Sequence, residues 1–228
     1  YTASRDRVIN VWATEGESLG RCVRSLKGHA HRINSLTLST DYLCRSGPYT
    51  HKGGSFETIE EASAAAKARY EKQSQMPERM ISGSDDHTLI LWQPTKSAKP
   101  VARLTGHQQQ VNHVSFSPDG RFIASASFDK KVKLRDGYTG KFLATFTGHV
   151  AAVYQLSWSP DSALLASASK DSTVKVWSIA GGTGHRKVSK CVSNCPGHAD
   201  EVYALDWAPN GRRVASGSKD RLVKMWRN

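Results

Sequence analysis

Cysteine is scarce in this chain: Cys22, Cys44, Cys191 and Cys195 are the only four among 228 residues. That is too few for a disulfide framework and fits a reducing compartment. Long apolar runs are also missing. None approaches the roughly 20 residues that a membrane helix needs, and mean hydropathy is negative, so no membrane partner is expected. No charged-then-apolar leader opens the chain. It opens inside a repeat, and the expectation is therefore the C-terminal half of a longer protein. Acidic residues are outnumbered, 20 Asp and Glu against 32 Lys and Arg, which gives a net charge of +12. That balance favours anionic partners such as nucleic acid or acidic protein, with a solvated basic surface as the plainer alternative.

What is present is a repeat. Gly106-His107, Gly148-His149 and Gly197-His198 are each followed, 22 residues after the histidine, by an aspartate: Asp129, Asp171 and Asp220. Trp177 and Trp226 lie six residues beyond two of these aspartates. A period of about 40 residues with a Gly-His start and a late Trp marks four-stranded propeller blades. A turn signature, small-x-Ser-x-Asp, occurs five times, ending at Asp6, Asp86, Asp129, Asp171 and Asp220. The runs that follow, such as Thr173-Val-Lys-Val-Trp177, alternate as half-buried strands do.

Over nearly its whole length the chain resembles the WD40 repeat family. The fold this implies is an all-β WD40 β-propeller, represented here by about four to five blades. The family joins His, Ser or Thr, Asp and Trp in a hydrogen-bonded network inside each blade, a sensible way to satisfy buried polar groups. The matching sets are His29, Ser82, Asp86 and Trp92; His149, Ser167, Asp171 and Trp177; and His198, Ser216, Asp220 and Trp226. His107, Ser125 and Asp129 match in a further repeat, but Arg135 stands where Trp is expected. No Trp-Asp dipeptide occurs, so the spacing carries the resemblance.

Catalysis is not expected. The His, Ser and Asp groupings imitate hydrolase triads, yet they recur blade after blade and would be buried. Cys191, Cys195 and His198 could be read as metal ligands, but the repeat already claims His198 and no fourth ligand is evident. Gly181-Gly-Thr-Gly-His-Arg-Lys187 lacks the GK[ST] ending of a phosphate loop and reads as a hairpin. No cofactor, metal or small-molecule substrate is expected.

One repeat is irregular: 57 residues separate His29 from Asp86, against 22 elsewhere. The excess, residues 40–78, joins a first strand (33–38) to a second (79–82). Its Ala/Glu/Lys-rich core, 59–73, predicts a helix, with Thr58 and Glu61 as a capping box. This stretch holds five Lys and Arg against six Asp and Glu, so the positive charge lies on the propeller.

A more specific resemblance rests on five stretches: Leu36 to Tyr42, Ser84 to Trp92, Lys99 to His107, Val111 to Gly120 and Asp200 to Trp207. With the long insertion, they resemble the C-terminal half of the Notchless family, WD-repeat assembly factors of the large ribosomal subunit. That resemblance implies an eight-bladed propeller, of which this chain is part, docked on the pre-60S particle among rRNA, ribosomal proteins and other assembly factors, in the nucleolus and nucleus. It also implies an upstream ubiquitin-like domain, absent here, that engages the ATPase midasin. Register in WD40 propellers places the residue before each turn Asp, and those opening each first strand, at the top rim. These are Asp85, Phe128, Lys170 and Lys219, with Arg32, Asn34, Gln110, Asn112, Tyr154, Glu201 and Tyr203. The rival is a WD40 adaptor in signalling or ubiquitin-ligase substrate recognition, whose Trp-Asp-x-Arg box is missing here.

Overall fold

The computed structural model describes residues 1–42, 56–75, 77–179 and 190–227. Cys44, the Gly-rich 181–187 stretch and part of the 40–78 insertion lie outside the described residues. The strands form five antiparallel sheets, each one blade. Blade 1 holds β1 (Thr2–Ala3), β2 (Val8–Trp12) and β3 (Cys22–Lys27). Blade 2 holds β4 (Ile33–Leu38), β5 (Met80–Ser84), β6 (Leu89–Trp92) and β7 (Ala102–Leu104). Blade 3 holds β8 (Val111–Phe116), β9 (Phe122–Ser127), β10 (Val132–Asp136) and β11 (Phe142–Phe146). Blade 4 holds β12 (Val153–Trp158), β13 (Leu164–Ser169), β14 (Val174–Ser178) and β15 (Lys190–Cys195). Blade 5 holds β16 (Val202–Trp207), β17 (Arg213–Ser218) and β18 (Val223–Arg227). This is part of a WD40-type propeller.

The core lies between blades, because each sheet must bury both faces. Phe146 and Leu134 of blade 3 meet Val153, Leu156, Trp158 and Trp177 of blade 4 in one such layer. The second strand of a blade is built from small residues because the next blade sits on it. Ala124 and Ala126 in β9, and Ala166 and Ala168 in β13, are fully buried. At the corresponding point in β5 there is no room for any side chain. A Cβ on Gly83 would lie 2.8 Å from methyl groups of both Val111 and Val114.

Two local devices aim the top of each blade. The turn after the second strand ends on the repeat aspartate, and the residue after it is left-handed, as at His87, Lys130, Ser172 and Arg221. The aspartate holds that turn by accepting the amide two residues on, as Asp171 does from Thr173 at 3.1 Å. At the start of each first strand the register slips between Ile33 and Ser35, Val111 and His113, Val153 and Gln155, and Val202 and Ala204. Such a bulge leaves one residue unpaired and re-aims its side chain. Those residues are Asn34, Asn112, Tyr154 and Tyr203.

Among the described residues there is one α-helix, α1 (Ile59–Ser74), between β4 and β5. Thr58 caps it by accepting the Glu61 amide at 3.2 Å. Arg69 donates to the Pro118 carbonyl at 2.8 Å, which ties the helix to the β8–β9 turn of blade 3. That turn lies at the end of the strands opposite the repeat aspartates.

Candidate functional site

The polar networks within the blades come first, since they resemble chemistry. His149 sits just before β12, and its Nδ1 lies 2.8 Å from the Asp171 carboxylate. Its Nε2 lies 2.8 Å from Ser167 Oγ, which also accepts the Trp177 indole N–H at 2.8 Å. His29, Ser82, Asp86 and Trp92 are arranged in the same way, as are His198, Ser216, Asp220 and Trp226. Proton direction is consistent along each chain: Trp N–H to Ser, Ser O–H to His Nε2, and His Nδ1–H to Asp. Ser82, Ser167, Ser216 and the matching Ser125 of blade 3 are at most 1% exposed, so no substrate carbonyl can reach a hydroxyl. Burial pushes the Asp171 carboxyl up, but bonds from His149, Thr173 and the Val150 amide outweigh it and hold the group well below the usual range.

Blade 3 keeps this chain without its indole. His107 lies 2.7 Å from Asp129 and 2.9 Å from Ser125. The Asp129 carboxyl is lowered to about 2, with burial opposing the bonds from His107 and two amides. Arg135 is 5% exposed and donates to the Thr105 and Gly140 carbonyls, but its Nε has no partner. A buried guanidinium without a carboxylate is costly. Arg135→Trp restores an indole aimed at Ser125, and the expected result is a gain of about 1 kcal/mol in denaturant unfolding. A loss of stability would show that the Thr105 bond matters more than the orphaned cation.

The side chains that sequence register assigns to the top rim form a divided surface. On blade 2 it is self-neutralised. Asp85 accepts from Arg32 Nε and from Asn34 at 2.6 Å, and the ring of His31 lies 3.5 Å away. Asn34 and Asn112 also reach across the seams to the first carbonyl of the next blade, Val111 at 2.9 Å and Val153 at 2.8 Å. These two bulge residues stitch blades together. Gln110 contributes its carbonyl, which accepts the Phe128 amide at 3.0 Å.

On blades 3 to 5 the same positions carry aromatics. Phe128 meets Tyr154 edge-on at 6.1 Å, and Tyr154 meets Tyr203 at 5.0 Å. Both hydroxyls converge on Glu201, at 2.8 and 2.9 Å. Those bonds, Tyr154's first, hold the Glu201 carboxyl below its usual range. Burial and then Glu201 push the Tyr154 phenol up. Lys170 lies 3.5 Å from Glu201, and Lys219 lies 3.7 Å from Asp200. The result is an aromatic ladder flanked by two half-exposed lysines and spanning three blades. Sequence register missed Asp200 and His31, because it considered only strand openings and the residue before each turn Asp.

On the inner side, where β4, β8, β12 and β16 run side by side, a cavity of about 510 Å³ is lined by Tyr42, His113, Gln155 and Asp206 among others. Nδ1 of His113 is sealed from water without a partner, and burial lowers that imidazole to about 4. Among the described residues no three His, Cys, Asp or Glu side chains are grouped to hold a metal. His198 engages both its nitrogens in the blade network. No described helix is long and apolar enough to cross a membrane.

A chain of blades in which blades 2 to 5 repeat this buried His–Ser–Asp network belongs to the WD40 repeat family. The family model, WD domain, G-beta repeat, matches residues 98–136, 140–178 and 189–227, just over half of the chain. Within that family the chain is similar to ribosome assembly protein 4 of Saccharomyces cerevisiae, 54% identical over 130 residues, covering 55% of this chain and 25% of the relative. It is 52% identical over 95 residues to the Notchless protein homolog of Arabidopsis thaliana, covering 42% and 20% of the two chains. It is 46% identical over 127 residues to protein Notchless of Drosophila melanogaster, covering 52% and 25%. The aligned part of the chain thus spans a fifth to a quarter of these relatives' length.

Proposed function

We propose that this chain is the non-catalytic docking propeller of a ribosome-assembly factor for the large subunit. It holds the factor on the pre-60S particle in the nucleolus and nucleus. A ubiquitin-like domain elsewhere in the full protein engages midasin, so that the ATPase's pull is transmitted through the propeller. The similarity to ribosome assembly protein 4 and to Notchless supports the ribosome-assembly part of this reading. The observation that carries the docking part is the rim of Phe128, Tyr154, Tyr203, Lys170 and Lys219 across three blades. Rigid aromatics beside cations suit contacts with protein and RNA. The His–Ser–Asp groupings add no chemistry, because each serine is sealed and already bonded.

The test is the double change Lys170→Glu and Lys219→Glu in the full-length protein. Each reversal places a new carboxylate beside an existing one, Glu201 or Asp200. Association with purified pre-60S particles is expected to weaken, with a shallower salt dependence, because lost phosphate contacts release fewer counterions. Stability is expected to change by less than about 1 kcal/mol, since exposed pairs contribute little. Parental co-sedimentation at every salt concentration would remove the rim from the interface.

A further inference from the structure

Blade 3 departs from the other blades on its outer wall. Both faces of its sheet are packed, one on blade 2 and one on blade 4. Further blades of a propeller adjoin blade 1 or blade 5, so they leave this wall uncovered. Its outermost strand is β11, which opens on Phe142, 53% exposed. In blade 4 the buried Trp177 lies opposite Cys191, and in blade 1 Trp12 lies opposite Cys22. In blade 3 Arg135 lies opposite Phe142. The aromatic ring has moved from the inside of the blade to its outer strand, and a cation has taken its place.

That cation has a second beside it. Lys133 lies two residues earlier on the same face of β10. Both reach over the exposed Gly106, where a Cβ would meet Arg135 Nη2 at 3.5 Å and Lys133 Nζ at 3.9 Å. Both also flank the Phe142 ring, the ammonium 5.4 Å and the guanidinium carbon 5.9 Å from its centroid. Neither cation has an ion pair among the described residues. The two acids of this stretch are held in their own turns. Asp129 accepts from His107 and two backbone amides, and Asp136 accepts from Tyr138 and Thr139. Burial first, and then Lys131 and Arg135, push the Lys133 ammonium below its usual value against the pull of Asp129. Lys175 holds the same ladder position in blade 4, opposite Ser167 as Lys133 is opposite Ser125. There the neighbour is an indole, and the lysine donates to Asn194 at 2.8 Å.

We infer that the outer wall of blade 3, at Phe142, Lys133 and Arg135, binds a segment of single-stranded RNA. The exposed ring gives a base a face to stack on, and the lysine beside it gives the neighbouring phosphate a positive charge. Arg135 donates to the Thr105 and Gly140 carbonyls, so it contributes its charge rather than a contact. A phosphate seated at Lys133 sets attraction to both cations against the repulsion between them. Lys141, exposed and next to Phe142, extends the positive strip. An acidic peptide answers the charge but not the bare ring, whereas a nucleotide answers both. The chain's net charge of +12 draws a polyanion towards it. The wall stands apart from the rim and does not rest on the rim being a docking surface, so it is tested without the particle.

The experiment uses the full-length protein and a short fluorescent single-stranded RNA, with anisotropy read across a salt series. Phe142→Ala is expected to weaken binding roughly tenfold and to leave the salt slope unchanged, because stacking releases no counterions. Lys133→Gln is expected to weaken binding about fivefold at low salt and to make the slope of log K against log salt shallower by about 0.7. Arg135→Trp, which should stabilise blade 3, is expected to weaken binding too, so that fold and site respond in opposite directions. Phe142→Trp keeps a ring at the wall and is expected to bind as the parent does. So is Lys175→Gln, which removes the matching lysine of blade 4. Melting curves verify that each variant is folded. Parental binding by Phe142→Ala, Lys133→Gln or Arg135→Trp overturns the site, as does a Lys175→Gln loss equal to that of Lys133→Gln. If a polyglutamate peptide of matched charge displaces the RNA as well as unlabelled RNA does, the partner is an acidic protein and the RNA assignment falls.

Discussion

Asp171→Ala is expected to destabilise the protein by about 2–4 kcal/mol in denaturant unfolding. The carboxylate accepts four bonds: from His149 Nδ1 at 2.8 Å, the Val150 amide at 3.0 Å, the Thr173 amide at 3.1 Å and the Thr173 hydroxyl at 2.6 Å. Alanine leaves the imidazole N–H without a partner in a pocket where the His149 side chain is 1% exposed. It also releases the turn in which Ser172 is left-handed, φ 62°. The carboxyl titrates lower in the fold than its ordinary value. Its stabilisation is therefore complete above the unfolded carboxylate pKa of about 3.9 and is lost as pH falls below it through the folded value. Parent and variant should accordingly converge in stability in strong acid. An unchanged melting curve together with lost particle binding would instead make Asp171 a contact residue.

Gly137→Ala should cost about 3 kcal/mol, for a different reason. A Cβ there would lie 2.4 Å from the Gly120 carbonyl oxygen and 2.9 Å from the carbonyl carbon and oxygen of Arg121. All three are backbone atoms, so no rotamer change relieves the contact. The hairpin must open, weakening the bond from the Gly137 amide to Arg121 at 2.6 Å. The Gly137 carbonyl also accepts from Arg79, a 4% exposed residue of blade 2 that stacks 3.9 Å from the Tyr138 ring. Displacing that carbonyl loosens the seam between two blades as well as one hairpin. Blade 4 shows that the demand is local: its equivalent residue is Ile179, whose amide bonds Ala163 at 2.9 Å. A near-neutral change on calorimetry would mean that the hairpin relaxes freely.

Much of the fold was legible in the sequence because each blade writes its signals within one short window. His149, Ser167, Asp171 and Trp177 are close in sequence, recur in register and meet in one sheet. Helix α1 was legible for a similar reason: an Ala, Glu and Lys-rich run behind Thr58 favours a helix whatever it packs against. The destinations of the rim side chains were not legible. Asn34, Asn112, Tyr154 and Tyr203 occupy one bulge position, yet two stitch blades and two form an aromatic ladder. What decides this is the neighbouring blade, contributed by residues some 40 to 80 positions away: Val111 for Asn34, Val153 for Asn112, and Glu201 for Tyr154. Arg135 broke the pattern visibly, but only the packed blade shows its guanidinium turning to the Thr105 carbonyl. Likewise Phe142 reads as an ordinary strand residue until the β10–β11 ladder sets it opposite Arg135. The sequence by itself determined the period, the strands and the buried networks, since these follow from local spacing and alternation. The tertiary structure decided which polar and charged groups are neutralised and which remain free, since Coulomb and hydrogen-bond partners are set by distance in space.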